Sequence, residues 1–478
     1  MRRSDCFYIN GSWVDARERP RLSVFNPATE EVADHIRMGN AEDVDQAVRA
    51  ARASFDRFSQ TSREERLDLL SQVIASYEKH AEELAHLVMT EMGSPLWFAR
   101  DVQVQTALEH FKQARKVLAD YDFGHMMGST RIVLEPVGVC GFITPWNWPI
   151  NQVVAKFASA LAAGCTAVIK PSEIAPLSPL LLAEILHDAG VPPGVFNLIN
   201  GDGPSVGTAI SRHPDIDMIS FTGSTRAGIQ VAKDAADTVK RVHQELGGKS
   251  ANILLPGTEL DKTVPASVLR SFTNSGQSCQ APTRLLVHES EAADVYAIAR
   301  GAAEAVIVGD PTAAQTQLGP LASGLQFDRV QEMIRSGIAE GATLLAGGLG
   351  RPDHIDRGWY ARPTVFSEVS PDMTIAQQEI FGPVLSILTY RDVDEAVAIA
   401  NGTVYGLAGY VSSPDIAMAK DVGRRLRAGR VYLNGSPHNG KQDVEAPFGG
   451  YGQSGNGREA GLYGLEDFLE IKAIIGYL

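Results

Sequence analysis

The sequence predicts an α/β fold with two lobes, each built on a parallel β-sheet covered by helices. From residue 137 onward, short apolar runs alternate with helical stretches, which is the pattern of parallel strands joined by helices. A second series of the same kind follows residue 279. The length of 478 residues also exceeds what a single hydrophobic core usually accommodates, so more than one lobe is expected.

The N-terminal third predicts two helices and a hairpin. Asn40 can cap a helix over residues 41–58, in which Val44, Val48 and Phe55 belong to one apolar stripe. Residues 63–90 continue with the same helical period. A Gly-rich turn near residue 124 precedes a run of β-branched and apolar residues, and this change of pattern predicts a hairpin up to residue 136.

The two alternating series then predict the sheets. The first series indicates strands at 139–143, 167–169, 195–199 and 218–221, with helices at 150–163, 178–189 and 204–212. The second indicates strands at 284–288, 384–390 and 429–433, with helices near 291–305, 324–340 and 392–401. The lobes are expected to join near residues 247–257.

Composition and charge exclude several classes of function. Apolar residues make up 44% and charged residues 21% of the chain, as in ordinary globular proteins. A formal charge of −14 argues against nucleic acid and anionic membranes as partners, since both require a basic surface. The first residues do not form a secretory signal, and no run of 18 apolar residues occurs, so a cytoplasmic location is expected.

Cysteine usage points to a reactive thiol. The four cysteines are too few and too scattered for a disulfide framework or a metal site: Cys6, Cys140, Cys165 and Cys279. Cys279 lies in a polar, Gly-interrupted segment that does not suit a strand or a helix interior. Together with Glu245 and Asn147 it offers a nucleophile, a base and an amide donor. Acyl transfer through a thioester requires these three functions.

Two strand–helix junctions are candidates for binding a dinucleotide. The Gly-rich segment 200–207 departs from the usual GxGxxG spacing and is more typical of a turn. Residues 221–225 (FTGST) also leave a strand and enter a helix, where free backbone N–H groups favour a pyrophosphate. Lys170 and Glu173 follow the strand that ends near residue 169, and they form either a surface ion pair or part of a nucleotide site.

Eight short segments together resemble the aldehyde dehydrogenase superfamily. They are 145–147 (PWN), 170–173 (KPSE), 221–225 (FTGST), 245–249 (ELGGK), 276–279 (GQSC), 379–383 (EIFGP), 447–450 (PFGG) and 454–459 (SGNGRE). Each is weak alone, but all eight occur in the family's order and at compatible spacing. The resemblance extends from about residue 7 to residue 472.

The resemblance implies three structural parts and an oligomer. A Rossmann-like NAD-binding domain would comprise residues 1–117 and 137–247, and an α/β catalytic domain would comprise residues 248–447. A small β oligomerisation arm at 118–136 and a C-terminal segment at 448–478 complete the chain. In this family the arm is expected to pair with residues 461–478 of a neighbouring subunit, which gives a homodimer or a homotetramer.

The resemblance also assigns roles to individual residues. Cys279 would be the nucleophile, Glu245 the general base and Asn147 an oxyanion donor. Lys156 and Glu459 would relay a proton or form a structural ion pair. The cofactor would contact Ile143, Thr144, Pro145, Trp146, Lys170, Ser172, Glu173, Gly203, Phe221, Thr222, Gly223, Ser224, Leu246, Glu379 and Phe381. NAD is expected in preference to NADP, because the Glu173 carboxylate would repel a 2′-phosphate. No metal is expected.

The expected substrate is a small-molecule aldehyde that is oxidised to a free acid. Glu245 favours water over coenzyme A as the acyl acceptor. The substrate tunnel would be lined by Trp148, Asn151, Thr273, Gln442 and Phe448, with Ala155 nearby, which suggests a moderately polar or bulky aldehyde. Gly452 stands where the family often has a lysine. The alternatives are an NADP-preferring semialdehyde dehydrogenase, a coenzyme A-dependent one, and a non-enzymatic, crystallin-like protein.

Overall fold

The computed structural model describes residues 3–435 and 443–478, and it confirms the α/β class. Its strands are β1 (Cys6–Ile9), β2 (Ser12–Asp15), β3 (Arg21–Asn26), β4 (Glu31–Arg37), β5 (Gly124–Met127), β6 (Thr130–Pro136), β7 (Val139–Ile143), β8 (Thr166–Lys170), β9 (Phe196–Leu198), β10 (Met218–Thr222), β11 (Arg241–Glu245), β12 (Ala251–Leu254), β13 (Arg284–His288), β14 (Thr343–Ala346), β15 (Thr364–Ser367), β16 (Val384–Tyr390), β17 (Ala408–Ser412), β18 (Arg430–Leu433), β19 (Gly455–Asn456) and β20 (Leu469–Ile474).

The helices cover both faces of the two large sheets. They are α1 (Ala41–Phe58), α2 (Arg63–Met92), α3 (Leu96–Phe98), α4 (Gln105–Asp120), α5 (Pro149–Ala163), α6 (Leu177–Asp188), α7 (Thr208–Arg212), α8 (Thr225–Ala235), α9 (Leu260–Phe272), α10 (Ala292–Glu304), α11 (Gly324–Ala339), α12 (Thr374–Gln377), α13 (Val393–Asn401), α14 (Ile416–Arg425) and α15 (Gly461–Glu466). Within the described ranges, no helix is long and apolar enough to cross a membrane.

The first sheet has eight strands in the order β19-β11-β10-β7-β8-β9-β1-β2. Strands β7 to β11 are parallel, and β7, β8 and β10 are buried along their whole length, as their continuous apolar runs require. Strands β8 and β9 extend the sheet on one side of β7, and the next strand, β10, pairs with the other side of β7. This reversal leaves a crevice at the carboxyl ends of β7 and β10, where open α/β sheets bind ligands.

The second sheet has seven strands in the order β14-β15-β16-β13-β12-β17-β18. All of its pairs are parallel except β14 with β15. The chain passes from the first sheet to the second between Glu245 and Ala251. Strand β19 then pairs with β11, so the C-terminal part of the chain returns to the first sheet.

The helix bounds follow from capping and hydrophobicity. Asn40 and Asp43 form a capping box at the start of α1, as the sequence predicts, and Ser62 with Glu65 does the same for α2. Helix α5 is apolar nearly all round and is buried along its whole length. The helix expected at 204–212 is only partly present, because residues 203–207 form a wider π-type turn before α7 begins.

The β-arm is a three-stranded sheet in the order β20-β6-β5. The expected hairpin is present as β5 and β6. The expected pairing with a neighbouring subunit's C-terminal segment is wrong, because β20 pairs with β6 of the same chain from Leu469–Pro136 to Ile474–Arg131. Helix α15 packs against α4 and α5 and so directs the last residues back along their own subunit.

Candidate active site

Cys279 follows a tight turn at the end of α9. Asn274 and Ser275 have φ values of 58° and 56° in the left-handed region, which costs on the order of 1–3 kcal/mol for each such residue. The Asn274 side chain holds this turn in place. Its Nδ2 donates to the Asn147 carbonyl at 2.9 Å, and its Oδ1 accepts from Gln103 Nε2 at 3.1 Å. The strained turn is therefore fixed to the loop that carries Asn147.

The Asn147 amide is also held beside the cysteine loop. Its Nδ2 donates to the Gln277 carbonyl at 2.9 Å, and the side chain is 2% exposed. A primary amide has two N–H groups, so one remains for an oxygen atom of a substrate. Next to it, Trp148 Nε1 donates to Ser278 Oγ at 3.0 Å. These two bonds hold the Asn147 amide and the Trp148 indole against Gln277 and Ser278, which precede Cys279 in the sequence.

The Cys279 thiol needs a base before it can attack. Burial raises the pKa of this thiol, and the negative charges of Glu245 and Glu379 raise it further, while a hydrogen bond from the Gln280 backbone N–H opposes the rise. The neutral thiol is therefore the dominant form near pH 7. Since the thiolate is the nucleophile, a nearby group must remove the proton during attack.

Glu245 is the group best suited to remove it. It is the last residue of β11 and is only 1% exposed, and neither carboxylate oxygen has a hydrogen-bond partner among the described residues. Burial raises the pKa of Glu245 well above its usual value, and the charge of Glu459 adds to the effect. A carboxylate without water or donors around it is a stronger base.

Lys156 and Glu459 form a buried ion pair. Lys156 extends from α5, and Glu459 lies on the segment between β19 and α15. Burial works to raise the pKa of Glu459, but the charge and hydrogen bond of Lys156, together with His243 and His110, outweigh it and hold that pKa below its usual value. The pair is 303 residues apart in sequence, so only the tertiary fold brings it together.

The expected cofactor residues collect at the carboxyl ends of β7, β8 and β10. Ile143 is level with Phe221 on one side and with Lys170 on the other. Thr144 Oγ1 and Thr222 Oγ1 are buried without a partner in the part of the chain that the structure describes. The hydroxyls and the crevice fit a polar ligand such as a dinucleotide.

Helix α8 begins at this same edge of the sheet. Ser224 caps the helix by accepting a hydrogen bond from the Ala227 N–H at 3.3 Å, and Gly223 donates its N–H to the Glu245 carbonyl at 3.0 Å. Leu246 is packed in the core beside these residues. The helix N-terminus therefore faces the crevice, as phosphate binding requires.

Lys170 is held at the end of β8 by three acceptors. Its Nζ donates to Glu173 Oε2 at 3.2 Å and to the carbonyls of Pro171 and Gly201 at 2.7 and 2.8 Å. Ser172 Oγ accepts from the Ile174 N–H. Gly203 opens the turn before α7, and a Cβ there would meet no atom within 4 Å, so packing does not require a glycine.

Glu379 and Phe381 approach from the second lobe. Glu379 Oε1 accepts the Gly248 N–H at 3.0 Å, and burial raises the pKa of Glu379 to about 7. The Phe381 ring contacts Trp146 edge to face with 5.4 Å between the ring centroids. Trp146 follows Pro145 on the loop after β7, so the two lobes meet here.

A narrow cavity opens next to Cys279. Of the expected tunnel residues, it is lined by Trp148, Asn151 and Phe448, with Ala155 beside them. Thr273 is not one of the described residues that line the cavity. Its hydroxyl donates back to the Leu269 carbonyl of α9. Gln442 lies outside the described residues.

Among the polar residues of this cavity that sequence reasoning missed are His110 and Arg430. His110 belongs to α4 and Arg430 begins β18, and neither lies in a recognised motif. The Arg430 guanidinium donates to the carbonyls of Ala446 and Pro447 and stacks over Phe448. Because the cavity joins several distant elements, no local pattern marks these two residues.

Gly452 has a conformational explanation that the sequence did not provide. Its φ is +57°, and a Cβ would approach the Val404 carbonyl oxygen to 2.8 Å. A lysine at this position would therefore be strained. Across the described ranges, no group of three or more His, Cys, Asp or Glu side chains could hold a metal ion.

Comparison with known proteins agrees with this geometry. A model of the aldehyde dehydrogenase family matches residues 13–474. The 3-succinoylsemialdehyde-pyridine dehydrogenase of a Pseudomonas species is 54% identical over 98% of both chains. An aldehyde dehydrogenase C variant from Pseudomonas syringae, solved with NAD+ and octanal, is 53% identical with a TM-score of 0.98 over 99% of this chain and 97% of that one. Betaine aldehyde dehydrogenase from Staphylococcus aureus, solved with NAD+, is 35% identical with a TM-score of 0.95 over 98% and 94% of the respective chains. The chain therefore belongs to the aldehyde dehydrogenase family.

Proposed function

We propose that this enzyme oxidises an aldehyde to a carboxylic acid with NAD, through a thioester on Cys279. One observation carries the proposal: the strained turn after α9 brings a thiol and the Asn147 amide together beside the buried Glu245 carboxylate, whose oxygens accept no hydrogen bond from the described residues. A nucleophile, an oxyanion donor and a base are what acyl transfer requires.

The first half-reaction begins at the thiol. The Cys279 sulfur attacks the carbonyl carbon while its proton passes to Glu245, and the carbonyl oxygen becomes an oxyanion. That oxygen would accept from the free N–H of Asn147 and from the Cys279 backbone N–H, and such donors contribute several kcal/mol. NAD, if held by the residues at the sheet edge, would supply the acceptor for the hydride that leaves the carbon. A thioester on Cys279 remains.

The second half-reaction is hydrolysis of the thioester. The Glu245 carboxylate takes a proton from water as the water oxygen attacks the thioester carbon, and the Cys279 thiolate leaves. Glu245 then returns the proton to the thiolate and the free acid departs. Because Glu245 is the base in both halves, it must lose one proton to solvent between them.

The residues at the sheet edge fit NAD. Lys170 and Glu173 would hold the hydroxyls of the adenosine ribose, and the N-terminus of α8 would face the pyrophosphate. Glu379 and Phe381 would hold the nicotinamide ribose and ring. The unpartnered hydroxyls of Thr144 and Thr222, judged over the described residues, and the NAD+ in the Pseudomonas syringae neighbour support this placement.

The proposed substrate is an aldehyde of medium length with a hydrogen-bonding group on its chain. Trp148 and Phe448 give the cavity apolar walls, while His110, Asn151 and Arg430 add polar ones. One relative at 54% identity is named for a pyridine semialdehyde, and the neighbour at 53% holds octanal. The polar walls favour the first kind of substrate.

Formation of reduced cofactor with a panel of aldehydes tests the proposal. Octanal, a pyridyl oxobutanal and betaine aldehyde would each be supplied with NAD or NADP. The pyridyl compound should have the highest kcat/KM, and betaine aldehyde the lowest, because Arg430 repels a cation. If none of the aldehydes yields NADH, the enzymatic proposal fails, and octanal as the best substrate would contradict the substrate class.

Replacing Glu173 with glutamine should improve the use of NADP relative to NAD. The change removes the carboxylate that would repel a 2′-phosphate and frees Lys170 Nζ to pair with that phosphate. We expect a change of roughly tenfold in the ratio of kcat/KM values, or about 1–2 kcal/mol. The control is Glu184→Gln, which removes a carboxylate of α6 that is paired with Arg3. An unchanged ratio would place the ribose elsewhere.

The enzyme is expected to be a homodimer or a homotetramer. The β-arm exposes an apolar strand and tail, with Ile471 74% and Ile475 83% exposed, and β20 is an edge strand of its sheet. An uncovered apolar edge promotes association. Light scattering at micromolar concentration should show the oligomer, and Ile471→Asp should weaken it while Leu325→Asp on α11 should not. An active wild-type monomer would contradict this prediction.

A further inference from the structure

His243 is a buried histidine next to the proposed base that none of the roles above uses. It lies two residues before Glu245 on β11, and alternate residues of a strand point to the same face of a sheet. The ring is 3% exposed. The sequence therefore places an imidazole and the catalytic carboxylate side by side in the protein interior.

The two ring nitrogens of His243 have different surroundings. Nδ1 forms a hydrogen bond with the Asp467 carboxylate, and because a carboxylate accepts, Nδ1 carries the hydrogen. Nε2 has no partner in the described part of the chain, and it lies 3.9 Å from Glu245 Oε1 and 4.0 Å from Glu459 Oε1. In the neutral ring, the Nε2 lone pair thus faces the proposed base. A shift of about 1 Å would bring the two groups into hydrogen-bond range.

The fold makes room for this arrangement. Gly457 has φ +78°, and a Cβ on it would lie 2.5 Å from His243 Nδ1. The partner Asp467 follows α15, and its side chain is 20% exposed, so it reaches from the buried ring toward solvent. The series Asp467–His243–Glu245 therefore extends from the surface to the site, with one gap of 3.9 Å between His243 Nε2 and Glu245 Oε1.

The proton balance of the proposed reaction requires such a path. Glu245 receives a proton from the Cys279 thiol in the first half-reaction and must be ionised again before it can deprotonate water. A carboxylate that is only 1% exposed exchanges this proton with bulk solvent slowly unless a neighbouring group relays it. His243 Nε2 lies 3.9 Å from its Oε1 and has no hydrogen-bond partner among the described residues.

We propose that His243 is the positioning residue of Glu245 and takes its proton between the two half-reactions. The inference rests on the proposed function. The proton leaves Glu245 for Nε2, and the imidazolium that forms is stabilised by the Asp467 carboxylate. Asp467 passes the Nδ1 proton to solvent, which leaves the neutral Nε2–H tautomer. When the acid has left and water enters the cavity, Nδ1 is protonated again through Asp467 and Nε2 releases its proton to that water, which restores the Nε2 lone pair for the next turnover.

Other charged groups around this path must be considered in its pH dependence. Glu459 is paired with Lys156, which leaves it less available as a proton acceptor. Arg241 donates to the carbonyls of Asp467 and Leu469 and supports the segment after α15. The further charges that act on Glu245 or Glu459 are those of His110, Arg430 and Arg458.

The test compares His243→Gln with wild type in two assays across pH 6–10. The first follows the burst and the steady state of NADH formation. The second acylates Cys279 with p-nitrophenyl acetate without cofactor and follows release of acetate, which isolates hydrolysis. Asp467→Asn is the second variant, and His213→Gln is the control because its ring pairs with Asp45 away from the site. Thermal unfolding and dynamic light scattering confirm that each variant is folded.

In His243→Gln we expect a burst within twofold of wild type and a steady-state NADH rate about tenfold lower near pH 7. The deficit should shrink as the pH rises, because hydroxide then replaces the missing acceptor. Asp467→Asn should lower the steady-state NADH rate less than His243→Gln does, and this loss should also shrink as the pH rises. A purely structural role would lower both phases at every pH.

Two results for His243→Gln would overturn the inference: a pH profile like that of wild type, or an equal and pH-independent loss of the burst and the steady phase. If His243→Gln does not fold, a pH profile of Asp467→Asn like that of wild type would overturn it instead. The first result would leave the Lys156–Glu459 pair as the outlet. If wild type forms no NADH, the proposed function fails, and the p-nitrophenyl acetate assay still decides the role of His243.

Discussion

Replacing Cys279 with alanine is expected to abolish aldehyde oxidation, with a loss of at least about 10³-fold. The thiol carries the covalent chemistry, so the thioester cannot form without it. The fold should survive, because Cys279 is only partly buried and lies on a loop whose turn is held by Asn274 and Gln277. NAD binding, measured by calorimetry, should stay within about twofold of wild type, since the thiol is not among the groups proposed to hold the cofactor.

Cys165→Ala is the matched control for this experiment. Cys165 is fully buried and donates weakly to the Phe468 carbonyl, so its removal should affect stability more than turnover. Labelling of the native enzyme with iodoacetamide should select Cys279 over the buried Cys140 and Cys165. Activity of Cys279→Ala within tenfold of wild type would contradict the assignment of the nucleophile.

The second large effect is expected for Glu245→Gln. The glutamine keeps the shape of the side chain but cannot accept a proton, so hydrolysis of the thioester should fall by about 10²–10⁴-fold. Stopped-flow measurement should show a slower burst of NADH, because Glu245 is also the proposed base for the Cys279 thiol, followed by a steady phase that is slowed still more. Glu459→Gln is a useful comparison, because Glu459 is ion-paired with Lys156 and is not the proposed base. If burst and steady phase fall equally, Glu245 acts mainly on the Cys279 thiol.

The pH dependence of the wild-type steady phase follows from the environment of Glu245. Burial and the charge of Glu459 raise the pKa of Glu245, so the ionised fraction of this base grows as the pH rises. The rate of thioester hydrolysis should therefore increase with pH through that raised pKa and level off above it. The corresponding inflection should be missing in Glu245→Gln, and its persistence there would assign the titration to another group.

Much of the secondary structure could be predicted from the sequence because local patterns decide it. Helix α1 has the predicted bounds since its cap and its apolar stripe are both local features. Strands β13 and β16 also match the prediction, because their long apolar runs are bounded by polar residues. Strands β12 and β17 were missed: they are short, and they contain Asn252 or Gly409, which are poor strand formers. Their neighbours in the sheet stabilise them.

The candidate site was predicted unevenly for a similar reason. The residue types of Cys279, Glu245 and Asn147 were recognisable from their chemistry and their motifs. The side chains that position them were not, since Asn274 and Asn147 are 127 residues apart and His243 and Asp467 are 224 apart. No local period links such pairs.

The sequence by itself determined the α/β class and the family resemblance, and it singled out Cys279, Glu245 and Asn147 as candidates for the reacting side chains. The tertiary structure alone decided that β20 pairs with β6 of its own chain, that the Thr273 hydroxyl donates back to α9, and that His243 lies between Glu245 and Asp467. The physical reason is the range of the interactions. Helix and strand periodicity depends on residues a few positions apart, whereas packing of α15 against α4 and α5 brings together residues from opposite ends of the chain.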